Sequence, residues 1–402
     1  MSRLQLGVLT IIVFVGLMTR IDRMKDPGHP GDVTNMKKQM ELIYRWGYYR
    51  SYDMPAGLGF YPPLFNINHV VLGQINAKLM SGDFSSTNLP MHLLMKSPAV
   101  VSDMFIGFVI MIIAWKYGSP GKAIVASGLY FLNPAVIYNN VTMGMIGDPI
   151  YTLFLILSIF FAMEKKLIMS YLFITLSFLT KPQGLFVAPL IFLSGWANRK
   201  REQVSEAVLV CLSVTLLVVT PFILKGTFDQ LAYRMLHMVG LFSYTSNYAD
   251  NLWWIFSSFD SKAIVSGVSR NDEVRWLGLT LGNIGSIMIS AIYIPLIVIY
   301  LKNRHEKVIL LKIASTILLT FFVISTEMHR NYIYAFIPMS IMTGVFDRRW
   351  WTFAVIASLT LLANWNVINI NHGLNSGVNV GLLLVILRVI FQKRGPAQLA
   401  TH

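Results

Sequence analysis

Cysteine is nearly missing: one residue in 402, Cys211, and it sits inside an apolar run. Neither a disulfide within the chain nor a thiolate metal site can be built from it. Charge is scarce too. Charged residues are 13% of the chain, against about 25% in soluble globular domains, and only 19 of them are acids. No internal repeat, low-complexity tract or soluble tail is visible, and the terminal stretch Gly395–His402 is too short for a domain. These absences exclude a disordered chain, a basic nucleic-acid-binding domain and almost any soluble enzyme. What is present is apolar: 55% of the residues, at a mean hydropathy of +0.58. A soluble fold of this length would show amphipathic stripes, whereas here apolar blocks alternate with short polar clusters. The net charge of +14 reads either as an acidic partner or as the Lys/Arg excess of cytoplasmic loops, and the second comes first for a membrane protein.

The expected spans are Leu4–Thr19, Ala99–Trp115, Ile124–Tyr138, Pro149–Met163, Leu167–Thr180 and Leu185–Ala197. Ala207–Leu224, Trp276–Leu301, Val308–Ser325, Tyr332–Val345, Trp350–Trp365 and Leu374–Phe391 follow. The reading is one all-α domain over 1–402, a polytopic bundle of about 11–13 spans. Basic residues then fall in alternate connections: Lys116 and Lys122; Lys165 and Lys166; Arg199, Lys200 and Arg201; Lys302, Arg304 and Lys307; Arg348 and Arg349; Lys393 and Arg394. That alternation places both termini in the cytoplasm of a plasma membrane, or of the ER membrane in a eukaryote. It requires the polar-dotted segment Phe60–Met80 to be an interfacial helix or half of a closely spaced pair. The first span has only Arg3 before it and no small-x-small site before Arg20, so it reads as a retained anchor.

Chemistry collects in the outer connections, above all in a first loop over 20–98 and a large one over 225–275. In the first, Asp32 follows a Pro/Gly turn and precedes a helical stretch, Val33–Tyr48, so it reads either as a helix cap or as a functional acid. Tyr44, Trp46, Tyr48, Tyr49 and Tyr52 suit an interfacial helix. A loop this long between spans is more than a connector needs.

An acid soon after the first span, an aromatic amphipathic helix and then YPPL (Tyr61–Leu64) resembles the GT-C glycosyltransferases that use polyprenyl-phosphate sugars. SPAVVSDMFIGFVI (Ser97–Ile110), LNPAVIYNN (Leu132–Asn140), Asp148 before YTLFL (Tyr151–Leu155), and LTKPQGLFVAPL (Leu179–Leu190) continue the resemblance in order. NLWW (Asn251–Trp254) and MHRNYIYAFIP (Met328–Pro338) complete it. Two departures stand out. Where relatives have Trp-Gly-Gln-x-Asp, this chain has Gly144-Met145-Ile146-Gly147-Asp148. Where they have Met-His-Glu-Arg-Tyr, it has Met328-His329-Arg330-Asn331-Tyr332.

The resemblance implies an inverting transferase acting at the outer membrane face. A hexose, mannose or glucose first, would pass from a polyprenyl-phosphate donor to a lipid-linked glycan, a cell-surface polysaccharide or a glycolipid. Asp32 matches the position of the general base, with Asp22, Asp26 and Asp53 as rivals. Lys181, His329, Arg330 and Gln183 are candidates for the donor phosphate, since charge developing on a leaving group needs cations or N–H donors. For Lys181 and Arg330 the alternative is snorkelling to headgroups; for His329 it is a satisfied histidine between helices. Asp148, Tyr61, Asn251 and Trp253 are candidates for substrate or acceptor. Asp148 could equally cap the next span ahead of Pro149, and Trp253 and Trp254 could sit in the aromatic belt. Asp103, inside a span, reads as a structural partner. No metal or other cofactor is expected: there is no His/Glu pair at i, i+4 and no DxD motif. A lipid-glycan flippase or secondary transporter is the competing reading, but such proteins tend to carry internal repeats and polar groups at the midplane. Here the polar residues gather at one face.

Overall fold

Apolar runs in lipid must pair every main-chain N–H and C=O internally, which closes them into helices. A computed structural model describes residues 2–55, 58, 61–85, 87–198, 201–238, 244–257 and 275–392, and they are helical almost throughout. In chain order the helices are α1 (Arg3–Arg23), α2 (Pro30–Trp46), α3 (Pro63–Leu79), α4 (Leu89–Tyr117), α5 (Pro120–Phe131) and α6 (Pro134–Ile137). Next come α7 (Gly147–Met163), α8 (Leu167–Thr180), α9 (Ala188–Asn198), α10 (Arg201–Leu224), α11 (Phe228–Leu236) and α12 (Leu252–Ser257). The last are α13 (Leu281–Lys302), α14 (Lys307–Ile324), α15 (Phe336–Gly344), α16 (Arg349–Asn364) and α17 (His372–Phe391).

Among these, α1, α4, α10, α13, α14 and α17 are long and apolar enough to cross a bilayer unaided, while α7 and α8 are shorter apolar helices. The spanning window of α14 is 78% buried, against 17% for α1, α10 and α13. So α14 is the hub, wrapped by α7, α15 and α17, and the outer helices turn Ile11, Phe14, Leu217 and Ile294 outward. Without a hydrophobic drive between helices in lipid, close packing decides contacts. Phe131 is seated against α4 because Gly107 has no side chain; a Cβ there would lie 2.3 Å from the ring.

Several expected boundaries shift for local reasons. The span expected over Ile124–Tyr138 breaks after Phe131, because Pro134 disfavours helical geometry at the residue before it. Asn133 instead caps α6, accepting from the amides of Ala135 (3.0 Å) and Val136 (3.3 Å). A π turn over Tyr138–Thr142 follows, the kind of irregularity that redirects side chains. Helix α4 starts at Leu89 with Pro98 inside it, so the last part of the first loop is helix. The segment expected as Trp276–Leu301 opens with a hairpin, β2 (Arg275–Trp276) against β3 (Leu279–Thr280), before α13 begins. The Tyr332–Val345 span is helical only from Phe336.

Helix α3 packs on α2 and α8 and is not one of the six long apolar helices. Of the large loop, α11, β1 (Ser246–Asn247) and α12 are described; 239–243 and 258–274 lie outside the described residues. Phe60 and the basic residues Arg199, Lys200, Lys393 and Arg394 lie outside them as well. Four of the basic connections meet at one end of the bundle. Lys116 pairs with Glu164 at 2.5 Å, Lys307 reaches the Tyr117 hydroxyl at 3.3 Å, and Lys122 donates to the Val345 carbonyl at 2.6 Å.

Candidate active site

At the opposite end, Asp32 occupies the third residue of α2. It is not the cap: His29 is, and its Nδ1 lies 2.8 Å from the Asp32 carboxylate. Burial would push Asp32 up. The hydrogen bond of His29, with the positive charge of Lys181 nearby, outweighs that and holds it below its ordinary value of 3.8. Asp32 is therefore ionised at neutral pH and half-exposed. Its rivals are engaged locally: Asp22 with Lys25 at 3.2 Å, Asp26 with Arg23 at 3.7 Å, and Asp53 with Arg50 at 2.8 Å. Tyr61 stands in the same cluster, close enough to Asp32 and Asp148 for their charges to raise its hydroxyl further, after burial as the first cause.

Lys181 ends α8 in extended geometry, because Pro182 cannot continue the helix and a 3₁₀ turn, Pro182–Phe186, follows. Gly184 lets that turn fold back: a Cβ would come within 2.6 Å of the Phe178 nitrogen. The Lys181 ammonium does not snorkel. It is buried, ion-paired with Asp148, and 4.7 Å from the centre of the Tyr332 ring. Asp148 is no bare helix cap either. Its other oxygen accepts from Asn331 (2.7 Å) and Asn139 (3.1 Å). Asn139 in turn accepts from the Trp365 indole at 3.0 Å and donates to Asn140. Asn140 reaches Asp103 at 3.0 Å, and Asp103 holds Arg20 at 2.5 Å together with the Tyr130 hydroxyl. One polar chain thus runs from Lys181 to a fully buried Arg20–Asp103 pair, and Asp103 is the structural partner expected.

His329 lies on β4 (Met328–His329), which pairs in parallel with β1. Burial first, then the charge of Lys181, pushes its imidazole down to about 4. At neutral pH it can serve as an N–H donor, one of the two ways open to it, rather than as a cation. Its neighbour Arg330 carries the charge. Its guanidinium lies 4.6 Å from the Tyr248 ring centre and 4.7 Å from that of Trp365, and it makes no hydrogen bond or ion pair among the described residues. Three non-glycine residues with positive φ occur in these segments: Tyr248 (54°), whose ring it faces, Glu327 (62°), three residues before it, and Asn366 (57°), next to Trp365. Such backbone costs energy and collects at functional sites. Gln183 is buried, and its Oε1 has no hydrogen-bond partner among the described residues.

Asn251 and Trp253 do not join the cluster. Asn251 caps α12 and donates to the Ser325 carbonyl at 3.2 Å, while the buried Trp253 indole donates to Ile324 at 2.7 Å. Both serve to fasten α12 to the end of α14. Their reading as acceptor contacts is corrected to packing, since their polar atoms are spent within the protein.

The sequence reading missed His29, Asn139, Asn331, Tyr332, Trp365 and Arg20. A signal existed for three of them. His29 precedes Asp32 at capping distance, Asn139 lies in LNPAVIYNN, and Asn331 stands where MHRNY departs from its expected pattern. Nothing local distinguishes Arg20 or Trp365. Among the described residues no group of three or more His, Cys, Asp or Glu side chains converges.

No protein-family model and no curated protein matches the chain in sequence. Solved structures do resemble it, two of them as follows. One is ArnT from Cupriavidus metallidurans bound to undecaprenyl phosphate: TM-score 0.51 and 14% identity, over 96% of this chain and 76% of that one. The other is the apo oligosaccharyltransferase of Archaeoglobus fulgidus: TM-score 0.48 and 13% identity, over 96% of this chain. The chain spans 55% of that enzyme's length. At such identities the likeness is one of fold: the chain is a multi-pass integral membrane protein with a GT-C-type helical architecture.

Proposed function

We propose that this chain is an inverting glycosyltransferase that moves a hexose, mannose or glucose, from a polyprenyl-phosphate donor to a lipid-linked glycan, surface polysaccharide or glycolipid. The observation that carries the reading is an ionised Asp32 steadied by His29, grouped with Lys181, His329 and an Arg330 whose guanidinium lies against two rings and makes no hydrogen bond or ion pair among the described residues. In the reaction an acceptor hydroxyl attacks the anomeric carbon and gives its proton to Asp32. The bond from that carbon to the phosphate oxygen breaks, and the lipid phosphate leaves with the electron pair. A positioned carboxylate base contributes typically about 10²–10⁴-fold. Arg330 stabilises the departing charge, helped by the His329 N–H, with Lys181 holding Asp148 and the Asn331 loop in place. The unpaired Gln183 oxygen suits a sugar hydroxyl better than a phosphate oxygen, since it needs a donor. That ArnT binds undecaprenyl phosphate on a related fold supports a polyprenyl carrier. The site would face the outer or luminal side, with both termini cytoplasmic, and no metal is required.

The test is purified protein with labelled polyprenyl-phosphate hexoses and a panel of lipid and glycan acceptors, with and without EDTA. Transfer should survive EDTA and fall at least about 100-fold in Asp32→Asn. Full activity in Asp32→Asn removes Asp32 as base. Donor-independent lipid scrambling without any transfer would instead favour a flippase.

A further inference from the structure

Directly across the bundle from Asp32 lies a cavity of about 450 Å³. Its rim is basic: Lys165 from the turn between α7 and α8, and Arg304, His305 and Lys307 from the turn leading into α14, against a single acid, Glu306. Leu167 and Lys307, the first residues of α8 and α14, also line it. Neither helix has a side-chain cap, so the positive dipole ends of two helices lie at the same place as the cations. Lys165 is held at a φ of 60°, a strained conformation for a side chain of its kind. The inner wall is apolar, made by Ala162, Met163 and Leu310. Trp196, 69% exposed, stands next to lining residue Gly195, and Trp115 is exposed at the same end. Exposed tryptophans in such a protein sit at headgroup depth.

We infer that this cavity binds the phosphate headgroup of an anionic membrane lipid, in the leaflet opposite the candidate active site. A bare phosphate would leave most of the volume and the apolar wall unfilled. A glycerophosphate headgroup sets its anion on Arg304, Lys307 and the two helix ends and its carbon chain on Met163 and Leu310. Basic pockets between spanning helices recognise headgroups in this way. Because α7, α8 and α14 border this cavity and lead at their other ends to Asp148, Lys181 and His329, a lipid here clamps the helices that carry the candidate site.

The experiment measures binding of fluorescent short-chain phosphatidylglycerol to the purified full chain in neutral detergent, with phosphatidylcholine and inorganic phosphate as competitors. Saturable binding displaced by neither competitor is expected. It should weaken at least about tenfold in Arg304→Gln/Lys307→Gln, weaken measurably in Arg304→Gln alone, and stay unchanged in Lys302→Gln. Arg304 is exposed and makes no hydrogen bond or ion pair among the described residues, so its variant keeps the fold. Equal binding by the Arg304 variants, or equal competition by phosphatidylcholine, overturns the inference. Displacement by inorganic phosphate at similar concentration shows a free-anion site and overturns the lipid assignment.

Discussion

Asp32 and His29 form the smallest working unit of the candidate site. With its carboxyl held below 3.8, Asp32 stays in its basic form through neutral and mildly acidic pH and loses it only as pH falls below that value. His329, pushed to about 4, is likewise neutral until strongly acid conditions. The kcat/KM profile for transfer should therefore carry no limb at 6.5 that disappears in His329→Asn. In His29→Ala the largest of the interactions that lower Asp32 is removed while its burial persists, so the acidic limb should move to higher pH. An unmoved limb would make His29 a helix cap and nothing more. Arg330 makes a different prediction. Its planar guanidinium fits between Tyr248 and Trp365, and an ammonium does not stack in this way. Arg330→Lys should keep the charge yet lose at least about tenfold in kcat/KM for the donor, with kcat/KM for the lipid-phosphate sugar as the readout. Asp32, Lys181 and Arg330 were legible as candidates because each stands in a short motif. Their partners were legible only in part: Asn139 and Asn331 stand in motifs of their own, but their meeting at Asp148, and the place of Trp365 beside them, depends on contacts across sequence gaps that no motif spans.

At the level of elements, irregularities do the positioning. The break at Asn133–Pro134 and the π turn after it point Asn139 at Asp148 and Asn140 at Asp103, where a continuous helix would hold both amides on its own surface. The Pro182 stop does the same for Lys181. Arg20 illustrates the energetics: it is fully buried and bonded to Asp103, to the Gly16 carbonyl at 2.9 Å and to that of Phe131 at 2.7 Å. Removing one partner of such a pair typically costs about 3–5 kcal/mol. Arg20→Met should lower the thermal midpoint sharply, and Arg20→Met/Asp103→Leu should recover much of the loss. A double variant no better than the single one would place the loss in Arg20's main-chain contacts or in the Tyr130 and Asn140 donors that also rely on Asp103. Proline-containing motifs announced where helices end; the direction in which the chain leaves them depends on neighbours such as Phe178 beside Gly184 and Ser358, whose hydroxyl accepts from Asn133 at 2.9 Å, and the sequence pattern is silent there.

For the whole molecule, orientation is the property to measure. In a Cys211→Ser background, a single cysteine at Arg304→Cys should react with a membrane-impermeant maleimide only from the cytoplasmic side, and one at Asp22→Cys only from the other. Reaction of both from one side would refute the assignment. Hydrophobic length and Lys/Arg distribution are local quantities, summed along the chain, so the sequence by itself determined the membrane class, the helical architecture, the basic end and the polar end. The tertiary structure alone decided which charges are spent and which are available. Lys181 is neutralised by Asp148, burial pushes His329 down, and Asn251 and Trp253 are absorbed in packing, while the Arg330 guanidinium makes no hydrogen bond or ion pair among the described residues. The reason is physical: desolvation and pairing depend on what surrounds a group in space, and those neighbours come from segments far apart in the chain.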